Sequence, residues 1–186
     1  MITILIPTTP ERRERLQQTI ESIREHTTLP YKLTIYENNY EGYVKAIHTL
    51  LDGVDDLVWC LNDDVILKND AMKILYDKFN EFYPKWNGLL QPKDAIQEGN
   101  VATLPFCHAK TMQALTHDGY HHNFADQEFT IRMTAAGLYT YVPEAIVEHN
   151  HWINGKATQD KTYSDSQIKF EQDKELFNKR IQNGFQ

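Results

Sequence analysis

The nine residues Leu57-Val58-Trp59-Cys60-Leu61-Asn62-Asp63-Asp64-Val65 constrain this chain more than any other segment. An apolar run without polar alternation stops abruptly at an amide and two carboxylates. Such a run, with the β-formers Val58 and Trp59, predicts a buried strand. A buried strand that ends in adjacent acids puts negative charge at the carboxyl edge of a sheet, where open α/β sheets bind their ligands. Neighbouring carboxylates repel, so an unpaired acidic pair favours a hard cation with oxygen ligands. Asn and Asp are also common turn formers, so a strand followed by a solvated acidic turn is the competing reading.

The remaining composition narrows the class. A chain of 186 residues fits one domain with a real core. Its 41% hydrophobic and 24% charged residues are ordinary for a globular protein. No apolar stretch approaches the ~20 residues that span a bilayer, so no membrane partner is expected. The opening residues 1–10 have no positive region before their short apolar run and read as a strand, not a signal peptide. Cys60 and Cys107 are too few for a disulfide framework, and Cys60 reads as a small core residue; the expected setting is reducing and cytoplasmic. The net charge of -7 argues against non-specific coating of nucleic acid and suits a protein that holds a divalent cation.

The pattern along the chain is βαβαβα, which predicts parallel strands with right-handed crossovers. Strands are expected at 3–7, 31–37, 57–61, 101–105 and 138–142, with a short extended piece at 145–148. Helices are expected from Pro10 to about Glu25, with Thr9 as N-cap, and over 43–51, 71–82, 109–115, 126–136 and 167–181. Gly137 is placed as the C′ residue of the fifth helix. Met72, Leu75, Phe79 and Phe82 are expected to face inward from the third. Residues 84–100 read as a long loop with one short strand, 119–124 as a His-rich loop, and 152–162 as a mobile loop. Ile168, Phe170, Leu176, Phe177 and Ile181 are available to dock the last helix.

In order along the chain, five pieces resemble the GT-A glycosyltransferases, especially family-two-like members. Ile4-Leu5-Ile6-Pro7-Thr8-Thr9-Pro10-Glu11-Arg12 with the helix after it is similar to the first strand and helix of that family. Tyr36-Glu37-Asn38-Asn39 is similar to the end of its second strand, where an acidic residue meets the nucleotide base. Asn62-Asp63-Asp64-Val65 resembles its metal-binding DXD segment. Asp126-Gln127-Glu128-Phe129, with Arg132 and Gly137, resembles the helix start that carries the catalytic base. Val147-Glu148-His149-Asn150-His151 resembles the segment with the later metal-site His. The departures are Asn62 at the first DXD position, Ala125 where Glu is frequent, and a short chain that lacks much of the acceptor region.

The resemblance implies a single-domain, Rossmann-like α/β fold, a three-layer α/β/α sandwich with a mostly parallel central sheet. Residues 1–152 would form the nucleotide-sugar-binding and catalytic unit, and 153–186 a loop and helix packed on it. It implies a nucleotide-sugar donor and a divalent cation, Mn²⁺ or Mg²⁺, held by Asp64 with Asn62 or Asp63 assisting and by His149, with His151 the alternative. Asp126 is the implied base of an inverting transfer, and Glu128 the second choice or an acceptor contact; acids in a first helical turn also simply complement the dipole. Thr8, Glu37, Asn39, Asp63 and Lys156 are the expected donor contacts. Arg12 or Arg13 can meet phosphate, and the loop with Lys156 and Lys161 can close over a diphosphate. His121 and His122 are expected to face the acceptor, and Trp86 and Trp152 are candidates for stacking, whereas Trp59 belongs to the core. The acceptor is a soluble glycan or a hydroxymethylated base in DNA. A non-catalytic nucleotide- or sugar-binding protein is the alternative, and a nucleotidyltransferase ranks lower because no glycine-rich basic phosphate loop follows the first strand. The oligomeric state is open.

Overall fold

The computed structural model describes residues 1–185, with the side chain of Leu115 also outside the description. Gln186, the last residue of the expected C-terminal unit, therefore lies beyond the described residues.

The strands are β1 (Ile2–Thr8), β2 (Tyr31–Glu37), β3 (Leu57–Cys60), β4 (Val65–Leu67), β5 (Leu89–Lys93), β6 (Phe106–His108) and β7 (Tyr139–His149). The helices are α1 (Arg13–His26), α2 (Tyr43–Leu51), α3 (Ala71–Phe82), α4 (Ala109–Leu115), α5 (Ala125–Ala135) and α6 (Lys161–Gln182), with short 3-10 turns at Pro10–Arg12 and Trp152–Asn154. The strands form one sheet in the order β2-β1-β3-β6-β5-β7-β4. β1 pairs parallel with β2 and β3, and β5 with β7; β6 and β4 run against their neighbours. The mixed α/β domain with a mostly parallel sheet is therefore as expected.

Apolar side chains cover both faces. Ile4, Ile6, Trp59, Phe106, Leu75 and Phe79 pack in one cluster, and Leu5, Val58, Cys60, Ile47, Leu51 and Phe129 in another. β1 and β3 are buried along their whole length, which is why their sequences lack alternation. The polar break after Leu61 thus falls at the carboxyl edge of a central strand, where the chain leaves the sheet.

Several expectations required correction. Residues 101–105 are not a strand. The Gln91 side chain accepts the Leu104 N–H at 2.9 Å and Thr130 Oγ1 accepts the Ala102 N–H at 2.8 Å, so side chains satisfy this backbone where a ladder would otherwise be needed. The two pieces at 138–142 and 145–148 are one strand, β7. Pro143 is accommodated because the register with β5 shifts between Pro92 and Lys93, and a bulge tolerates a residue without an N–H. β4 was not foreseen. Thr9 makes no capping bond; its hydroxyl meets that of Thr162 at 2.8 Å. Phe82 is 43% exposed and Ile168 is 74% exposed, so neither docks its helix. Gly137 does close α5 with φ +70° and an N–H bond to Thr134 O at 3.0 Å. α6 begins at Lys161, six residues before the expected start at Gln167, because the Asp160 side chain accepts the Tyr163 N–H and caps it.

Candidate active site

A cleft of about 290 Å³ opens at the carboxyl ends of β1 and β3. Its walls include Thr8, Arg12, Asn38, Asn62, Asp63, Asp64, His122, Asp126, His149, His151 and Tyr163. The acidic strand end, the last residue of β1, the start of α5 and the end of β7 therefore converge, although they are up to 141 positions apart in the chain (8 to 149).

The two carboxylates after β3 are buried but differently occupied. Asp63 accepts the Thr8 hydroxyl at 2.7 Å and Arg12 Nη1 at 2.9 Å. Burial drives its carboxyl up to about 6, with the charge of Asp64 adding and Arg12 and Thr8 opposing. The Asp63–Arg12 pair is thus ionic at neutral pH. Arg12 also grips Asp160 through Nε at 2.9 Å and Nη2 at 3.1 Å. Burial works against the Arg12 charge, but Asp63 and Asp160 hold its pKa above the ordinary guanidinium value.

Asp64 faces the cleft. Tyr163 donates its hydroxyl to Oδ2 at 2.6 Å. His149 Nε2 lies 3.0 Å from Oδ1; Oδ1 and the ring's other nitrogen, Nδ1, are buried with no hydrogen-bond partner among the described residues. Burial alone would raise the Asp64 carboxyl. Its proximity to His149, the Tyr163 hydroxyl and the Arg12 charge outweigh that and hold it at about 2. The Asn62 amide approaches His149 Nε2 at 3.2 Å through Nδ2; turning the amide over would present its oxygen there instead.

Asp126 stands half-buried in the first turn of α5, where Oδ1 accepts the Gln127 N–H at 2.9 Å. Burial pushes its carboxyl up to about 6, against those backbone hydrogen bonds and with help from the charge of Asp94. His122 and His151, which line the same cleft, are both pushed down to about 4, chiefly by burial, so they are neutral imidazoles at pH 7. Gly42, at φ +101°, lets the start of α2 approach this wall: a Cβ there would sit 2.6 Å from the His121 carbonyl.

The cleft does not gather every expected residue. Glu128 is buried away from it. It receives Arg180 Nε and Nη2 at 2.7 Å each and the Tyr120 hydroxyl at 2.8 Å, and its pKa is lowered, those partners outweighing burial. That places Glu128 in a tie between α5 and α6. Glu37 is exposed and lies 3.4 Å from Arg13. Asn39 is exposed; its neighbour Asn38 is the buried one, donating to the Thr8 carbonyl at 3.0 Å. Lys156 pairs with Glu148 at 2.6 Å outside the cleft. Trp86 and Trp152 do not line it.

Sequence reasoning missed Tyr163, Asp160 and Asp173. Asp173 accepts the N–H groups of His121, His122 and Asn123 at 2.8, 2.9 and 2.8 Å. The signal for Asp160 was present as an N-cap residue ahead of a helical segment. Asp173 looked like one charge among many on a polar helix.

Among the described residues no group of three or more His, Cys, Asp and Glu side chains converges on one metal position, and no helix is long and apolar enough to cross a membrane.

No family model and no curated protein matches the sequence. Solved structures do match the fold. S. aureus TarS aligns with a TM-score of 0.63 at 10% identity, over 80% of this chain and 36% of that one. TarS 1-349 in complex with UDP-GlcNAc gives 0.59 at 10% identity, over 88% and 60%. The mannosyltransferase PcManGT from Pyrobaculum calidifontis, in complex with GDP-Man and Mn²⁺, gives 0.59 at 12% identity, over 80% and 56%. The chain thus spans between 36% and 60% of these proteins. At such identities the likeness establishes architecture: this chain has a GT-A-like glycosyltransferase fold.

Proposed function

We propose that the chain is a divalent-metal-dependent, inverting glycosyltransferase that moves a sugar from a nucleotide-sugar donor to an acceptor hydroxyl. The observation that carries this reading is the meeting of Asp64, His149 and Asp126 in one cleft at the carboxyl edge of a GT-A-like sheet. Solved neighbours with UDP-GlcNAc, or with GDP-Man and Mn²⁺, support a nucleotide-sugar donor.

The residues fit a cation. Asp64 Oδ1 and His149 Nε2 lie 3.0 Å apart, buried and facing one another, a spacing that two ligands of one ion also take. Asp64 and His149 would hold it, with the Asn62 oxygen after an amide flip. Oxygen ligands from Asp64 and Asn62 would suit Mg²⁺ or Mn²⁺, and the imidazole would favour Mn²⁺. When bound, the cation supplies Lewis-acid stabilisation of the charge that develops on the departing diphosphate.

The remaining chemistry belongs to the protein. Asp63, fixed by Thr8 and Arg12, sets the direction of the segment that carries Asp64. Arg12 and Arg15 bring positive charge to the same end of the cleft, meeting at Asp160 with contacts of 2.9 Å each. Asp126 takes the proton of the acceptor hydroxyl; a carboxyl held near 6 is ionised at neutral pH yet more basic than an exposed one. Neutral His122 and the Tyr43 ring, with centroids 5.6 Å apart, form the wall beside it.

A soluble glycan is the better acceptor reading. Of the side chains that would build a basic groove for DNA, Lys156 is engaged by Glu148, Lys161 lies 3.6 Å over the Tyr40 ring, and His121 sits 3.7 Å from Asp165.

The test is release of nucleoside diphosphate from UDP- and GDP-sugars with Mn²⁺ and a glycan acceptor panel. Wild type should turn over, and Asp126→Asn should not while still binding nucleotide. Wild-type turnover by Asp126→Asn would remove Asp126 as the base, and release of pyrophosphate would make the protein a nucleotidyltransferase.

A further inference from the structure

The last helix reaches into the cleft through Tyr163, which stands in the first turn of α6 and is 5% exposed. Its hydroxyl donates to Asp64 Oδ2 at 2.6 Å, across 99 positions of chain, and accepts Arg15 Nη1 at 3.3 Å. A phenol keeps its single proton at neutral pH. With Arg15 donating to the oxygen, that proton is directed to the carboxylate, and a bond to an ionised acceptor is among the stronger ones a hydroxyl makes.

The rest of the residue is held independently. Its N–H bonds to Asp160 Oδ1 at 3.1 Å, and Asp160 is itself gripped by Arg12 and Arg15. The Arg12 guanidinium lies 4.1 Å over the ring, and His151 meets the ring edge-on with centroids 4.6 Å apart. None of these contacts uses the hydroxyl. A phenylalanine would dock this end of α6 with the same backbone bond and the same ring packing. What the hydroxyl adds, beyond its contact with Arg15, is the bond to Asp64.

That bond divides the work of the Asp64 carboxylate. Tyr163 takes Oδ2, and Oδ1 lies 3.0 Å from His149 Nε2. The carboxylate cannot swing about its Cβ–Cγ bond without breaking a buried hydrogen bond, so fixing one oxygen fixes the other. We propose that Tyr163 is a positioning residue for the cation site: it holds the Asp64 carboxylate in the orientation that sets Oδ1 beside His149. The helix beyond the expected catalytic unit thereby supplies a part of the site. The inference rests on the reading of Asp64 and His149 as cation ligands. A latch, in which the hydroxyl competes with the ion for Asp64, would have the opposite sign: its removal would tighten binding.

The experiment is a Mn²⁺ titration of the full chain, followed by the EPR signal of the free ion, in wild type, Asp64→Ala, Tyr163→Phe and Phe177→Leu. Thermal unfolding in EDTA is measured on the same preparations. Phe177 docks α6 about four turns further along, in the cluster with Val44, Tyr120 and Ala125, so its variant loosens the helix with the hydroxyl left in place. Wild type should bind Mn²⁺ at a site that Asp64→Ala lacks. Tyr163→Phe should raise the Kd about 10- to 100-fold, as loss of a group that orients a metal ligand does. Phe177→Leu should lower Tm and keep the wild-type Kd. An unchanged Kd in Tyr163→Phe would reduce the hydroxyl to a docking contact, and a lower Kd would make it a latch; either overturns the proposal. An equal rise in Phe177→Leu overturns it too, since the Kd would then follow the packing of α6. Each of these leaves the cation reading standing. Wild type without Asp64-dependent Mn²⁺ binding overturns that reading and the role of Tyr163 with it.

Discussion

Replacing Asp173 by alanine should destabilise the protein more than any exposed charge on α6, because this side chain fixes the approach to the cleft from behind. It is 3% exposed and collects the N–H groups of His121, His122 and Asn123, all within 2.9 Å. A hydrogen bond to a charged acceptor contributes about 1.5–3 kcal/mol. Three of them do not simply add, since water can enter the space a carboxylate leaves and recover part of the loss. The cost should therefore lie above that of one such bond and below the sum of three, about 3–5 kcal/mol. At about 2–4 °C per kcal/mol for a domain of this size, Tm should fall by roughly 6–20 °C. Thermal and urea unfolding would measure it, with the urea m-value unchanged if the folded state stays compact. Amide exchange at residues 121–123 should accelerate more than in the central strands. A Tm drop of less than about 2 °C would show that the three N–H groups find other partners and that α6 does not hold this segment.

Other perturbations separate structural from chemical roles. Glu128→Gln should cost about 3–5 kcal/mol, since it removes a buried carboxylate from Arg180, while nucleotide affinity stays at the wild-type value; unfolding and equilibrium binding on one preparation would check both. Asp126→Asn should lose turnover and melt higher than wild type at pH 8. A carboxyl raised by folding binds protons more tightly when folded, so ionised Asp126 lowers stability above about pH 6, and the Tm advantage should shrink as pH falls from about 6 towards 4. Asn38→Ala should weaken nucleotide binding and Asn39→Ala should leave it alone, because only Asn38 is buried against Thr8; titration of both variants with UDP and GDP would decide it.

Much of this architecture was legible because it is written in local patterns. β1 and β3 lack alternation because both faces are buried, and α2 and α3 keep apolar residues at helical spacing because one face is. Asp63 and Asp64 were visible as the abrupt polar end of a core strand. What escaped depends on contacts across the chain. β4 has three residues, too few for a period, and exists because β7 pairs with it. Residues 101–105 carry a strand-like composition, but Gln91 and Thr130 take the N–H groups a ladder would have used. Glu128 and Asp126 lie two positions apart on α5, and a 100° step per residue sends one to the cleft and the other to Arg180. α6 docks through Phe177 and Leu176, which its sequence offered, and also through Asp173, Arg180 and Tyr163, which periodicity could not single out. Asn38 and Asn39 are alike in type, and only the turn after β2 decides which one is buried.

The central claim is that Asp64 and His149 form a cation site that binds a nucleotide-sugar donor, and thermal stability tests it most directly. The protein would be melted with a panel of nucleoside diphosphates and nucleotide-sugars, each with Mn²⁺ and with EDTA, in wild type and Asp64→Ala. A ligand at about 100 times its Kd should stabilise the native state by about 2.7 kcal/mol, or roughly 5–11 °C for a domain of this size. The account predicts such a shift for at least one nucleotide with Mn²⁺, its loss in EDTA and its absence in Asp64→Ala. No shift with any nucleotide, or one that persists in EDTA and in Asp64→Ala, would contradict it.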